Sequence, residues 1–147
     1  MTSKAQLESA LKDAMKAGDD LRKRTLRMAL SAIRLAEVDK GTVLDENAIL
    51  GILQKEIKTR QEAIDEARRA NRPDLEAASQ DEIRVLQAYL PQQLSLAELE
   101  ELAREVIAEL GAASLREMGQ VMKVLVPRLQ GRATGDQASQ VVRKLLS

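Results

Sequence analysis

The stretch from Met118 to Asp136 has the residue types that could contact an anion. It contains the cations Lys123, Arg128 and Arg132 and no acid before Asp136. Its last part, GRATGD, opens onto a predicted helix N-terminus, where free backbone N–H groups and flexible glycines can hold an anion. The GxxxxGK[ST] order of a nucleotide-binding loop is absent. The pattern therefore predicts anion contact without a nucleotide-binding motif.

Two more cations, Arg143 and Lys144, lie in the helix predicted after this stretch.

Gly119 is predicted to lie in the middle of a helix, where glycine costs ~1 kcal/mol relative to alanine. Close helix packing or the close approach of a ligand can explain such a glycine. The candidate anion contacts are Lys123, Arg128, Arg132, Arg143, Lys144, Gly119, Gly131 and Gly135.

Charge is unevenly distributed, although 23 basic residues balance 23 acidic residues. Residues 72–110 carry a net charge of −6, and residues 111–147 carry +4. Either the acidic fifth helix faces the basic sixth and seventh helices, or the basic end meets an anionic partner. A secondary basic patch on the second helix, Arg24, Arg27 and Arg34, is open to the same two interpretations: a solvated face or an anion-facing patch.

Composition excludes several classes of site. The chain has no cysteine and no histidine, and Tyr89 is its only aromatic residue. Thiolate chemistry, the commonest general base and aromatic base-stacking platforms are therefore absent. We expect no cofactor, no metal and no DNA binding. No apolar run approaches the ~20 residues that span a bilayer, and MTSKAQLES does not resemble a signal peptide. A cytoplasmic location without membrane contact is the expectation.

Periodic apolar residues predict an all-α fold. Four helices, over about 4–17, 20–40, 45–70 and 73–89, predict an antiparallel bundle-like N-terminal lobe over residues 1–91. The pairs Glu56–Arg60 and Asp65–Arg69 are interpreted as surface support. Tyr89 is expected to pack at a helix end, with its hydroxyl bonded to a neighbouring loop.

Three further helices predict a small C-terminal lobe over residues 92–147. Ser95 and Gly111 bracket the fifth helix, and Pro127 is expected to end or kink the sixth. Capping boxes, in which a side chain three residues on bonds back to the cap, are predicted at helix starts. They fall at Ser3, Ser95, Ser114 and Thr134.

Four segments resemble the GatB/YqeY family. They are LRKRTLRMALSAIRLAEVDKG (21–41), LQKEIKTRQEAI (53–64), YLPQQLS (89–95) and MGQVMKVLVPRLQGRATGDQASQVVRKLL (118–146). Together they extend over nearly the whole chain, and the last is the most specific. The sequence departs from the pattern at Thr134, where an acidic residue is expected.

The resemblance implies an all-helical fold of two lobes. It also implies kinship with the C-terminal helical region of the GatB component of the tRNA-dependent amidotransferase, a region implicated in handling tRNA. The expected function is a non-catalytic tRNA-binding or amidotransferase-associated module, with tRNA and a protein of translation as partners.

Two alternatives stay open beside this expectation. The first is the activity attached to the family, a carbon–nitrogen ligase with glutamine as amido-N donor. The second is a protein-docking factor that uses the fifth helix. The serines occupy predicted caps, helix surfaces or the terminus, and none has an activating neighbourhood in the sequence. No catalytic residue is therefore predicted.

Overall fold

The computed structural model describes residues 3–147, which form seven α-helices, a short 3₁₀ turn and no strand. The all-α prediction is confirmed for this part of the chain, and the first two residues of the predicted N-terminal lobe lie outside it. The helices are α1 (Lys4–Ala17), α2 (Asp20–Lys40), α3 (Glu46–Arg69), α4 (Pro73–Gln87), α5 (Leu96–Leu110), α6 (Met118–Leu129) and α7 (Gly135–Leu146).

The chain divides between Leu90 and Pro91 into two compact units, Met1–Leu90 and Pro91–Ser147. In the N-terminal unit α1 packs on α2, α3 packs on α4, and α2 contacts both α3 and α4. In the C-terminal unit α5, α6 and α7 contact one another. Each unit has its own core of buried apolar side chains, which supplies most of its folding free energy.

Local signals set most helix ends. Asp19 and Asp45 cap α2 and α3 by accepting a backbone N–H three residues on. The predicted capping boxes at Ser3, Ser95 and Thr134 are formed. Glycines in the left-handed conformation follow α1, α2 and α5, where a side chain would be strained.

The capping box predicted at Ser114 is wrong. The Ser114 side chain makes no cap hydrogen bond, and Leu115–Glu117 form the 3₁₀ turn. The Glu117 Oε1 instead accepts the Ala113 N–H at 3.0 Å, so it is not available to complete a box. As a result α6 begins only at Met118.

The late start of α6 changes the position of Gly119. This glycine lies in the first turn of α6 and not in the middle of a helix, as the sequence predicts. A Cβ atom built on Gly119 would meet no atom within 4 Å, so close helix packing does not explain it.

Pro127 does not end α6, which continues to Leu129. Proline lacks the N–H that would bond the carbonyl four residues earlier. The loss of this single hydrogen bond in the last turn weakens the end of the helix but does not end it at Pro127.

The Glu56–Arg60 pair is not surface support. Arg60 is buried, with 5% of its surface exposed, and it bonds to Glu56 and Glu82. The Arg69 Nε donates to the Asp65 backbone oxygen at 3.4 Å, whereas an ion pair was predicted. The i,i+4 spacing of a charged pair predicts that its two side chains are close together, but it does not predict whether the pair is buried.

The Tyr89 hydroxyl bonds to a residue of a helix. Arg22 of α2 donates to it at 3.0 Å, and this contact raises the pKa of Arg22. Two apolar residues in the first half of α4, Leu75 and Ala78, are exposed. The core contact of α4 comes from its second half, at Ile83 and Leu86.

Candidate nucleic-acid interface

The loop between α6 and α7 turns through two residues with positive φ. Gln130, at 49°, ends α6, and Gly131, at 75°, redirects the chain. Ala133 is buried in the core of the C-terminal unit, and Thr134 caps α7. The loop therefore has one packed residue and one capping residue, which fix its course.

This loop is bonded to the segment Pro91–Leu94 of the same unit. The Leu94 N–H donates to the Arg132 oxygen at 2.8 Å, and the Gln93 amide donates to the Gly131 oxygen at 3.0 Å. The Arg132 Nε donates to the Gln92 oxygen at 2.9 Å. Gly131 and Arg132, which are predicted to contact an anion, thus already bond to the segment Pro91–Leu94.

The N-terminus of α7 is also partly occupied. The Thr134 Oγ1 accepts the Gln137 N–H at 3.0 Å, and the Gln137 Oε1 accepts the Thr134 N–H at 2.9 Å. Gly135, the first residue of α7, is exposed. Side chains therefore satisfy two of the backbone donors that an anion would use there.

Two of the candidate cations pair with acids of α5. Arg128 makes a two-pronged contact with the Glu109 carboxylate, at 2.7 and 3.1 Å. This contact holds the pKa of Glu109 below its ordinary value and raises the pKa of Arg128. The Lys144 Nζ lies 3.5 Å from the Glu100 carboxylate. The interpretation that the acidic fifth helix faces the basic sixth and seventh helices is confirmed at these two pairs.

Lys123 and Arg143 differ from the other cations. Both are exposed, and within residues 3–147 neither side chain makes a hydrogen bond or an ion pair. Lys123 lies on the outer face of α6 with Gly119 and Gln120, opposite the buried Val121 and Leu125. Arg143 likewise lies on the exposed side of α7, opposite the buried residues of that helix. The sequence groups all five cations, and the structure separates these two from the three that are engaged.

The secondary patch lies in the N-terminal unit, on the exposed side of α2. Arg24 lies 3.5 Å from the Glu82 carboxylate, and Arg27 lies 4.0 Å from the Met15 sulfur. Arg34 is exposed and forms no hydrogen bond with another described residue.

A shallow groove of about 360 Å³ lies on the surface of the C-terminal unit, between α5 and α7. It has an apolar floor and a polar rim that includes the Glu100–Lys144 pair. Its lining residues are Leu94, Leu96, Leu99, Glu100, Gln137, Gln140, Val141 and Lys144. The sequence reasoning missed this groove because residues of two helices and the preceding linker build it. None of these side chains is an activated nucleophile, and no cluster of three or more potential metal ligands occurs in the part of the chain that the structure describes.

The family model described as "Yqey-like protein" matches residues 4–146. The chain belongs to the YqeY-like protein family. The resemblance in the four segments is thereby confirmed, and the family extends over both units of this YqeY-like protein.

Curated relatives of this YqeY-like protein include several fungal proteins named "Altered inheritance of mitochondria protein 41, mitochondrial". The one from Lachancea thermotolerans is 42% identical over 93 residues, which cover 63% of this chain and 50% of the relative. The one from Vanderwaltozyma polyspora is 41% identical over 85 residues, 57% of this chain and 46% of the relative. The one from Pyrenophora tritici-repentis is 28% identical over 130 residues, 87% of this chain and 71% of the relative. The matched part thus spans about half the length of the first two relatives.

The cytoplasmic location expected from the sequence is wrong by this comparison, since the relatives are named as mitochondrial proteins. The expectation rested on the lack of an apolar signal segment. Mitochondrial targeting segments are amphipathic and Arg-rich, so a search for apolar runs does not detect them. No described helix is both long and apolar enough to cross a bilayer.

Proposed function

We propose that this YqeY-like protein is a non-catalytic module that binds tRNA through the outer faces of α6 and α7. The observation that carries the proposal is the state of Lys123 and Arg143, which are exposed and unpaired within residues 3–147. Cations that no acid neutralises are the groups that phosphate oxygens bind. The resemblance to the tRNA-handling region of the amidotransferase supports tRNA as the nucleic acid.

The geometry favours binding over catalysis. A ligase that uses glutamine needs a nucleophile for the amide and a site for the activating nucleotide. The described serines and threonines with assigned bonds cap helices or bond to backbone oxygens, as Thr25 bonds to the Leu21 oxygen at 2.8 Å. An activity of this chain alone is therefore not part of the proposal.

The proposed binding is weak and reads shape more than sequence. Residues 91–147 contain seven basic and seven acidic residues, so the C-terminal unit has no net attraction for RNA. Arg128 and Lys144 are offset by Glu109 and Glu100. Binding then depends on a few local phosphate contacts, and the lack of aromatic residues in this unit excludes base stacking on aromatic side chains.

The test removes the two unpaired cations with Lys123→Ala plus Arg143→Ala. We expect affinity for an unmodified tRNA transcript to fall by about tenfold. The slope of log K against log salt should fall by about 1.4, because two phosphate contacts are lost at about 0.7 each. Fluorescence anisotropy at four salt concentrations measures both quantities. Arg132 is left intact because its Nε bonds to the Gln92 oxygen, and its removal would also loosen the loop.

A matched control removes the same charge elsewhere. Arg84→Ala plus Arg104→Ala takes two exposed cations from α4 and α5. It should leave affinity within about twofold of the parent protein. Equal losses in the two double variants, or no loss in the first while the helical circular dichroism is intact, would contradict the proposal.

A further inference from the structure

The outward face of α2 carries a stripe of exposed apolar side chains. Met28, Leu35 and Val38 are 48%, 62% and 77% exposed. Their spacing places them along one face of the helix. The opposite face is buried and includes Leu26, Leu30 and Ile33. The stripe therefore lies on the side of α2 opposite its buried face, and only its Met28 end reaches the unit's interior, where the Met28 sulfur accepts from the buried Arg60 Nη2 at 3.6 Å.

This stripe differs from the solvent faces of other helices. The exposed side chains of α7 from Gln140 onwards, for example, are the polar Gln140, Arg143 and Lys144. Single exposed apolar residues are ordinary, whereas contiguous ones mark surfaces that contact a partner. The exposed Met15 of α1 extends the stripe, because its sulfur lies 4.0 Å from the Arg27 guanidinium.

The stripe is bordered by positive charge along one edge, and the exposed Asp39 lies at its other edge. Arg24, Arg27 and Arg34 share the exposed side of α2 with it. Arg24 has a weak contact with Glu82 at 3.5 Å, and no ion pair joins Arg27 or Arg34 to another residue of the described chain. A complementary surface must then combine an apolar centre with an acidic border.

We propose that this face of α2 docks an acidic amphipathic helix of a partner protein. The stripe from Met28 to Val38 is about 15 Å long at the helical rise, which matches about three turns of a partner helix. Such helices bind through apolar anchors at i, i+3 or i+4, and i+7. The flexible Met15 side chain, which is 50% exposed, can adapt to the anchors. The surface lies in the N-terminal unit, and the inference does not rest on the proposed tRNA binding.

Charge and composition disfavour the other occupants. An antiparallel pairing with the same face of a second copy would bring three arginines against three arginines, which is repulsive. An RNA backbone offers phosphates to the arginines but nothing apolar to Leu35 and Val38. Helices that lie in a membrane interface rely on tryptophan, phenylalanine and leucine, and the chain has no tryptophan or phenylalanine.

The test uses a synthetic 18-residue helical peptide with leucine at the anchor positions and glutamate on both flanks. Its probe is the ¹⁵N-labelled full chain, and amide shifts report the binding site. We expect shifts that concentrate on residues 24–38. Leu35→Ser plus Val38→Ser should weaken binding at least tenfold, and Arg27→Gln plus Arg34→Gln should weaken it several-fold and reduce its salt dependence. Both variants change exposed side chains, so the fold is retained.

The controls separate this surface from general stickiness. Leu115→Ser changes a leucine that is 49% exposed in the C-terminal unit, and it should leave peptide binding unchanged. The same peptide with lysine in place of glutamate should not bind. The proposal would be overturned if the peptide caused no amide shifts on α2 or if the lysine peptide bound equally well. It would also be overturned if a tRNA transcript or phosphatidylserine vesicles bound the Leu35–Val38 face more tightly than the peptide does. Concentration-dependent dimerisation through the same face would also overturn the proposal.

Discussion

A buried arginine joins two helices of the N-terminal unit. The Arg60 Nε donates to the Glu82 carboxylate of α4 at 2.8 Å, and its Nη1 donates to Glu56 at 3.1 Å. Glu82 and Glu56 are each 19% exposed at the side chain. Water therefore reaches the acids, while the guanidinium depends on them. A buried charge without its partner is costly, although the intact pair adds little net stability.

Removing only the acidic partner of Arg60 should therefore cost more stability than replacing Arg60 itself with an apolar residue. We expect Glu82→Gln to lower the free energy of unfolding of the N-terminal unit by about 2 kcal/mol, below the ~3–5 kcal/mol of a fully buried pair because Glu82 is partly solvated. Arg60→Met, which keeps the apolar packing, should cost less than about 1 kcal/mol. Urea unfolding followed by Tyr89 fluorescence measures both, since Tyr89 is the only fluorophore and bonds to Arg22 within this unit.

Arg84→Met serves as the control for this comparison. Its side chain is 73% exposed and pairs only with Asp81, so its loss should change stability by less than about 0.5 kcal/mol. If Arg60→Met destabilises more than Glu82→Gln, the network contributes net stability and the argument from desolvation fails.

The first turn of α6 and the loop after it contain two glycines with opposite roles. Gly119 has a helical conformation and open space around its missing Cβ. Gly131 has a φ of 75°, which a side chain rarely adopts. Of these two glycines, only Gly131 is required by the backbone conformation.

Alanine substitutions should separate the two roles. We expect Gly119→Ala to stabilise the C-terminal unit by up to about 0.5 kcal/mol. Gly131→Ala should destabilise it by about 1–2 kcal/mol. Thermal unfolding followed by ellipticity at 222 nm gives the order. A destabilising Gly119→Ala would mean that this glycine serves the fold and would remove the reason to associate it with a ligand.

The same variant bears on the proposed tRNA contact. If a phosphate approaches the backbone at Gly119 beside Lys123, Gly119→Ala should weaken tRNA binding although the protein is no less stable. Gly51→Ala is the matched control, because Gly51 is an exposed glycine of α3 with equally open space around it. It should leave tRNA affinity unchanged.

At the scale of the elements, the sequence predicts the helices well and the contacts less well. Caps and left-handed glycines are local signals, so the ends of α1, α2 and α5 follow from residues such as Ser95 and Gly111. The start of α6 does not, because Glu117 has two acceptable donors and bonds to Ala113. Arg60 looks like any surface cation at helical spacing. Its burial depends on α4, which arrives from a distant part of the chain.

The candidate site shows the same limit. The sequence groups five cations near the carboxyl end, but it has no means to separate Lys123 and Arg143 from Arg128 and Lys144. That separation depends on which acids of α5 come within reach across the unit. The apolar stripe on α2 is a different case. Leu35 and Val38 lie outside the face of α2 that carries the buried Leu26, Leu30 and Ile33, and the structure shows that they are exposed.

At the scale of the whole molecule, the two units have separate apolar cores. The N-terminal core includes Leu30 and Leu53, and the C-terminal core includes Val106 and Leu125. A domain of about 60 residues buries only ~60% of its unfolded surface and is correspondingly marginal. The C-terminal unit, residues 91–147, is in that range. We therefore expect it to unfold first and independently of the N-terminal unit.

Two probes and two core variants test this expectation. Tyr89 fluorescence reports the N-terminal unit alone, while ellipticity at 222 nm reports both units, so urea should give two ellipticity steps of which only the later coincides with fluorescence. Leu125→Ala should cost the C-terminal unit about 2–5 kcal/mol and move only the early step. Leu30→Ala, its counterpart in the other core, should move the later step and the fluorescence together. A shift of the Tyr89 transition by Leu125→Ala as large as that by Leu30→Ala would show that the two cores unfold as one cooperative system, and the tRNA and docking surfaces would then share one stability.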